Sequence, residues 1–100
     1  MSLDATTANV KKMAEAADAL GSTIKFSFAD GAGVIFLDGT QDPTQVHNQD
    51  LDADCTINIQ YDDFQEMING DLNPMAAFMG GKMKIDGDMG VAMKLSSMFS

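Results

Sequence analysis

The chain has little cysteine and no long apolar run. Cys55 is its single cysteine, so no disulfide can form within it, and nothing indicates an oxidising compartment. No apolar stretch approaches the roughly 20 residues of a membrane-spanning helix, and the amino terminus lacks the basic and apolar regions of a signal peptide. We therefore expect a cytoplasmic chain with no integral membrane association.

Basic residues are scarce as well. Six lysines and no arginine stand against fifteen acidic residues, which gives a formal net charge of −9. A surface of this sign repels phosphate groups, so nucleic acid and anionic membranes are disfavoured as partners. A basic protein partner is compatible with the same charge.

What the chain does have is enough apolar material for a core. Apolar residues make up 45% of the sequence, which is typical of a globular protein. A chain of 100 residues suits a single domain, covering residues 1–100, that folds without disulfides.

The first half of the chain predicts one helix and three strands. The helix is indicated by apolar residues at helical spacing, namely Val10, Met13, Ala14, Ala17 and Leu20. Its N-cap is expected at Asp4, Thr6 or Thr7. Residues 24–29 alternate and residues 34–37 are continuously apolar, so with the turn at 30–33 they predict a hairpin whose second strand is central and covered on both faces. Residues 44–49 predict a weak edge strand.

A further strand and helix follow. Residues 55–61 alternate between apolar and polar types, which predicts a strand with one buried face and with Cys55 pointing inward. Asp63 and Glu66 have the spacing of a capping box, so the second helix is expected to begin at Asp63 and to stop at Gly70.

The carboxy-terminal part predicts two helices around a strand. Asn73 followed by Pro74 is typical of a capped helix start. Residues 82–86 predict a strand whose lysines face away from its apolar side, and Asp88 is expected to cap the last helix. The apolar residues of that helix surround most of its circumference, which suggests that one side faces a cavity: Met89, Val91, Ala92, Met93, Leu95, Met98 and Phe99.

Two features of the sequence suggest metal binding or catalysis. The acids at 50, 52 and 54 match the first, third and fifth positions of an EF-hand calcium loop. Cys55 occupies the sixth position, where glycine is required, and Tyr61 the twelfth, where glutamate is required, so no metal site is predicted. An enzyme needs a nucleophile and a base in contact, and Cys55 and His47 are the main candidates. We expect Cys55 to pack in the core, His47 to lie on the polar face of a strand, and no enzymatic activity.

A family resemblance is carried by residues between 54 and 87. These are the runs 54–57, 63–64, 77–79 and 81–85 together with Met67, Gly70, Leu72, Pro74 and Gly87. Their order and spacing resemble the SCP2-like (sterol carrier protein 2) lipid-binding domain family, and the similarity extends more weakly over residues 24–98. The resemblance implies an α+β fold, with a mostly antiparallel five-stranded sheet and helices packed on one side around an apolar tunnel.

Methionine is concentrated in the same region, where seven of the nine lie between Met67 and Met98. Methionine is flexible and polarizable, and it adapts to irregular space. From the residues alone, ordinary core packing is the favoured explanation, whereas the resemblance favours a ligand tunnel. The expected tunnel wall consists of Phe36, Phe64, Met67, Ile68, Met75, Phe78, Met79, Met83, Ile85, Met89 and Met93.

The resemblance implies binding and intracellular carriage or presentation of an apolar lipid, whether fatty acid, acyl thioester, sterol or phospholipid. Shape and apolarity suffice for such binding, so no cofactor is expected. Many carriers of the family are basic and this chain is acidic, which disfavours transfer by electrostatic docking to a bilayer. The alternative is a non-catalytic interaction module or accessory subunit with a filled core.

Overall fold

The fold was obtained as a computed structural model that describes residues 3–16, 21–29, 31, 33–41 and 44–99. Over these ranges the elements are α1 (Leu3–Ala16), β1 (Thr23–Phe28), β2 (Val34–Asp38), β3 (Gln45–His47), β4 (Cys55–Ile59), α2 (Tyr61–Ile68), α3 (Pro74–Met79), β5 (Met83–Gly87) and α4 (Met89–Phe99). The predicted positions Ala17 and Leu20 of the first helix, and Asp30 and Ala32 of the hairpin turn, lie outside the described residues.

The five strands form one mixed sheet in the order β3-β2-β1-β4-β5. The pairs β1–β2, β2–β3 and β4–β5 are antiparallel, and β1–β4 is parallel. The expected mostly antiparallel sheet is therefore confirmed. β2 is an interior strand as predicted, but the middle of the sheet is β1. The weak edge strand is shorter than predicted and covers only Gln45–His47.

One face of the sheet carries the hydrophobic core. Alternate residues of the three interior strands, β1, β2 and β4, point to it and are at most 5% exposed: Ile24, Phe26, Phe28, Ile35, Leu37, Cys55, Ile57 and Ile59. Each of the four described helices adds at least one buried residue to this cluster, including Val10, Phe64, Ala77 and Val91. The helices thus cover the apolar face, where burial of each large side chain contributes about 1.5 to 3 kcal/mol.

The opposite face is mainly polar, and Phe36 is its buried aromatic residue. Phe36 is 4% exposed, and its ring stacks on the imidazole of His47 with the centroids 4.9 Å apart. Lys25 pairs with Phe36 across β1 and β2, and Lys25 Nζ donates to Asp50 Oδ1 at 2.8 Å. The segment 48–54, which connects β3 to β4, is therefore attached to this face through Asp50.

The predicted N-cap of the first helix is wrong. α1 begins at Leu3, so Asp4, Thr6 and Thr7 lie inside it. Thr6 is fully buried, and its hydroxyl shares a hydrogen bond of 2.6 Å with the Tyr61 hydroxyl. Thr6 Oγ1 also accepts from Gln65 Nε2 at 2.6 Å. The threonine therefore joins α1 to α2 instead of capping α1.

The predicted start of the second helix is also wrong. β4 ends at Ile59 and α2 begins at Tyr61, so Asp63 lies in the first helical turn. The N-cap is Gln60, whose side chain makes no capping hydrogen bond. The Tyr61 ring packs edge-on against Phe28, with the ring centroids 5.2 Å apart. The predicted stop is confirmed, since Gly70 follows α2 in a left-handed conformation with φ of 84°.

None of the helices described is long and apolar enough to cross a bilayer.

Candidate functional site

An apolar groove lies where α3, β5 and α4 meet at the edge of the sheet. Its cavity has a volume of about 130 Å³. The described residues that line it all have apolar side chains: Pro74, Met75, Phe78, Met83, Ile85, Met89, Ala92 and Met93. A cleft of this character binds apolar groups by excluding water.

α3 forms one wall of the groove because its start is fixed by a cap. Asn73 Oδ1 accepts from the backbone N–H of Met75 at 2.8 Å and of Ala76 at 3.4 Å, as predicted. Pro74 occupies the first turn, where its missing N–H costs nothing. Ala77 is fully buried against the core. With that side of the helix fixed, Met75 and Phe78 face the groove.

β5 forms the floor. Met83 is 5% exposed and Ile85 is half-buried, and both line the groove. Lys82 and Lys84 are exposed, which confirms the prediction that the lysines face away from the apolar side.

α4 forms the second wall. Asp88 caps it as predicted, since Asp88 Oδ1 accepts from the backbone N–H of Gly90 at 2.9 Å. Val91 packs into the core, whereas Met89, Ala92 and Met93 line the groove. The expected cavity on one side of this helix is therefore present. The side chains of Leu95, Met98 and Phe99 lie outside the described residues.

The mouth of the groove is open to solvent and strongly apolar. Met93 is 68% exposed, Met75 51%, Met89 46% and Phe78 39%. Among the large apolar side chains that the structure describes as exposed, only Leu51 and Met79 do not line this groove. Single exposed apolar residues scattered over a surface are common, whereas several that lie side by side are typical of a binding surface.

Comparison with known proteins assigns the family. The model of a family described as the SCP-2 sterol transfer family matches residues 3–100, which is nearly the whole chain. The chain belongs to the SCP-2 sterol transfer family. The resemblance found in the sequence is thereby confirmed.

Individual relatives place this SCP-2 domain among longer proteins. Human sterol carrier protein 2 is 49% identical over 51 residues, which are 51% of this chain and 9% of the human protein. Hydroxysteroid dehydrogenase-like protein 2 of Danio rerio is 40% identical over 79 residues, which are 76% of this chain and 19% of that protein. The chain therefore spans only a small part of the length of these relatives.

A solved structure confirms the predicted fold. The solution structure of sterol carrier protein 2 from Aedes aegypti, in complex with the C16 fatty acid palmitate, matches with a TM-score of 0.78. The sequence identity is 22%, and the match covers 100% of this chain and 97% of the Aedes chain. At this identity the comparison shows a shared fold.

The SCP-2 domain brings six of the predicted wall residues together in the groove: Met75, Phe78, Met83, Ile85, Met89 and Met93. The other five lie elsewhere. Phe64 and Met67 are fully buried in the core, Ile68 is half-buried beside it, and Met79 is 82% exposed on α3. Phe36 lies on the opposite face of the sheet. A ligand role for these five stays a prediction.

Sequence reasoning missed two lining residues. The sequence indicates Pro74 only as the first residue of a helix, and in the structure it also lines the groove. Ala92 was included in the apolar set of α4 but not in the tunnel wall. Its position three residues after Met89 places both side chains on one helix face, and that spacing was the available signal.

The SCP-2 domain separates the two residues weighed for catalysis. Cys55 is fully buried in the core, and burial raises the pKa of its thiol, with the negative charges of Asp88 and Asp86 adding to the effect. His47 lies on the opposite face, and its Nδ1 accepts from the backbone N–H of Gln49 at 3.1 Å. Three strand spacings of about 4.8 Å separate β3 from β4, so the thiol and the imidazole are not in contact. In the part of the chain that the structure describes, no three His, Cys, Asp or Glu residues form a metal-binding group.

The cap of α3 gives a testable prediction about the groove wall. Replacing Asn73 with alanine removes the acceptor of two backbone N–H groups and is expected to lower the free energy of unfolding by about 1 kcal/mol. Urea denaturation measures the change. Asn73→Asp keeps an acceptor and should preserve stability, and Asn69→Ala at an exposed site is the matched control. Equal losses for the two alanine variants would contradict the capping role.

Proposed function

We propose that this domain binds an apolar lipid in the groove between α3, β5 and α4, and that it carries or presents this lipid inside the cell. The observation that supports the proposal is the groove itself, whose described lining is wholly apolar and whose mouth is formed by exposed methionine and phenylalanine side chains. Membership of the SCP-2 family supports the same ligand class.

The size of the groove indicates how a long ligand would fit. An apolar cavity of about 150 Å³ holds a molecule the size of benzene. The present cavity of about 130 Å³ therefore accepts one segment of an acyl chain or one end of a sterol. The rest of the ligand lies along the exposed side chains of the mouth, or enters as the methionines change rotamer.

The energetics favour binding without a specific polar contact. Burial of one methylene group is worth about 0.8 kcal/mol, so a long acyl chain offers on the order of 10 kcal/mol before the costs of immobilisation. One additional methylene changes discrimination only modestly. We therefore propose a loosely selective site that accepts fatty acids, acyl thioesters, sterols or phospholipids.

A filled groove tests the proposal. Ala92 lies in the groove wall and is 9% exposed, so Ala92→Phe places a ring where the ligand segment would lie. We expect palmitate binding, measured by isothermal titration calorimetry, to weaken by about tenfold or more. Ala8→Phe introduces the same ring at an exposed position of α1 and should leave binding unchanged. Thermal unfolding followed by circular dichroism establishes that both variants are folded.

Each result has a definite meaning. Binding that is lost in Ala92→Phe and kept in Ala8→Phe supports the groove. Equal binding in the two variants would place the ligand elsewhere. Native mass spectrometry of the purified protein, followed by organic extraction, would name the ligand class that copurifies.

A second candidate function is an interaction module that meets a basic protein. The observation in its favour is the well-filled core, in which Phe26, Phe64 and Met67 are fully buried, together with the net charge of −9. On this hypothesis the unmodified protein would bind neither added fatty acids nor sterols. Absence of both binding and copurified lipid would favour it over the carrier.

A further inference from the structure

Three methionine sulfurs are concentrated at the mouth of the groove. Met75 of α3 and Met89 and Met93 of α4 all line it, and they are 51%, 46% and 68% exposed. Met89 and Met93 are four residues apart, so they lie on the same helix face. We call these three residues the mouth methionines. Their thioethers are accessible both to a bound ligand and to solutes in water.

Most other sulfur-containing side chains that the structure describes are better protected, with Met79 as the exception. Cys55 is fully buried, and burial raises the pKa of its thiol, which lowers the fraction of reactive thiolate. Met67 is fully buried and Met83 is 5% exposed. Met79 is 82% exposed but does not line the groove. A dissolved oxidant therefore meets the mouth methionines and Met79 before it meets the core.

We propose that the mouth methionines are a site of reversible oxidation by peroxide, and that their conversion to sulfoxides prevents uptake of the apolar ligand. The inference rests on the proposed function, because its consequence is a change in ligand affinity. It adds a modification site and a means of regulation that lipid binding itself does not require.

The reaction balances with hydrogen peroxide as the oxidant. The thioether sulfur attacks one oxygen atom, the O–O bond breaks and an S=O bond forms. The other oxygen leaves as water and carries both hydrogens of the peroxide. Sulfur loses two electrons and the peroxide gains two. A methionine sulfoxide reductase, with a thiol as reductant, reverses the change.

The sulfoxide acts on binding through polarity. It converts a flexible apolar side chain into a polar one that requires water or another hydrogen-bond donor. A ligand that seals the groove removes that water, and burial of an unpartnered polar group is unfavourable. Each sulfoxide that contacts the ligand is therefore expected to weaken binding by about tenfold. The fold is preserved because the core residues remain unmodified.

Peptide mapping by mass spectrometry tests the location of the reaction. With limiting hydrogen peroxide, Met75, Met79, Met89 and Met93 should oxidise well before Met67 and Met83. Saturating palmitate should slow oxidation of the mouth methionines. It should not change the oxidation rate of Met79, which therefore serves as an internal reference. Oxidation of Met67 at the same rate as the mouth methionines would overturn the proposal, because it would mean that the reaction follows unfolding.

Calorimetric titration with palmitate tests the consequence. Peroxide should reduce binding by the unmodified sequence, and reductase treatment should restore it. In the variant Met75→Leu/Met89→Leu/Met93→Leu, peroxide should leave the palmitate affinity at its untreated value, because leucine has no sulfur to oxidise. The matched variant Met79→Leu should remain sensitive. Circular dichroism before and after treatment establishes that the fold is kept.

The possible failures are distinguishable. If the untreated protein binds no palmitate, the proposed function is overturned and the switch with it. If binding persists after the mouth methionines are fully oxidised, the switch alone is overturned. The switch is also overturned if the triple variant loses binding on peroxide treatment to the same extent as the unmodified sequence.

Discussion

Replacing Phe64 with alanine is expected to lower the free energy of unfolding by about 3 to 5 kcal/mol. Phe64 is fully buried, and its ring centroid lies 4.7 Å from that of Phe26 and 5.2 Å from that of Phe28. Truncation removes both ring contacts and leaves a cavity between α2 and the sheet. The free energy of unfolding of a native protein is only about 5 to 15 kcal/mol, so this loss is a large fraction of it.

Urea denaturation of the unmodified sequence and the variant measures this loss. Phe78→Ala is the matched control, because Phe78 is 39% exposed at the groove and loses less buried area than the fully buried Phe64. We expect its effect on unfolding to be about 1 kcal/mol or less. Should Phe78→Ala prove as damaging as Phe64→Ala, the core would have to extend through α3, contrary to the burial described.

The second large effect is expected at Gly87, the last residue of β5. Its φ is 115°, which side chains rarely adopt, and a methyl group there would overlap the carbonyl oxygen of Asp54 and lie 3.2 Å from Cys55 Cα. The same carbonyl accepts from the backbone N–H of Asp88 at 3.0 Å, so it cannot move away without loss of that bond. Gly87→Ala is therefore expected to destabilise the fold by about 3 kcal/mol.

Gly70→Ala separates backbone strain from overlap. Gly70 has a φ of 84°, but no atom lies within 4 Å of the position that its Cβ would occupy. It should lose only about 1 to 2 kcal/mol, the cost of the left-handed conformation. The measurement is the difference between the urea denaturation midpoints of Gly87→Ala and Gly70→Ala. If Gly70→Ala proved equally destabilising, the close approach of β4 and β5 would not be the cause.

Elements with a local signature could be predicted from the sequence. The alternation in β1 and β4, the cap at Asn73 and the cap at Asp88 each depend on residues a few positions apart, and all are present in the structure. The starts of α1 and α2 could not be predicted, because Thr6 and Tyr61 contact each other across 55 positions of sequence. That contact overrides the local capping pattern.

The sequence predicted the type of residue that lines the groove, but only some of the individual residues. Met67 and Met75 both occupy apolar helix positions, yet Met67 is fully buried and Met75 is 51% exposed. Which of the two meets a ligand depends on how each helix lies against the sheet. Phe36 shows the same limit, since a strand that is apolar on both faces does not reveal which face is next to the helices.

The parallel pairing of β1 and β4 has a consequence for the order of folding. It joins Ile24 to Cys55, positions that are distant in sequence, whereas the β1–β2 and β4–β5 pairs are formed between neighbouring segments. Loop closure makes such non-local pairing slow, and an isolated two-stranded unit is only marginally stable. The β4–β5 unit, which carries the groove, thus gains its support only when it joins β1. If the groove binds a lipid as proposed, we expect its capture during synthesis or refolding to follow completion of the sheet.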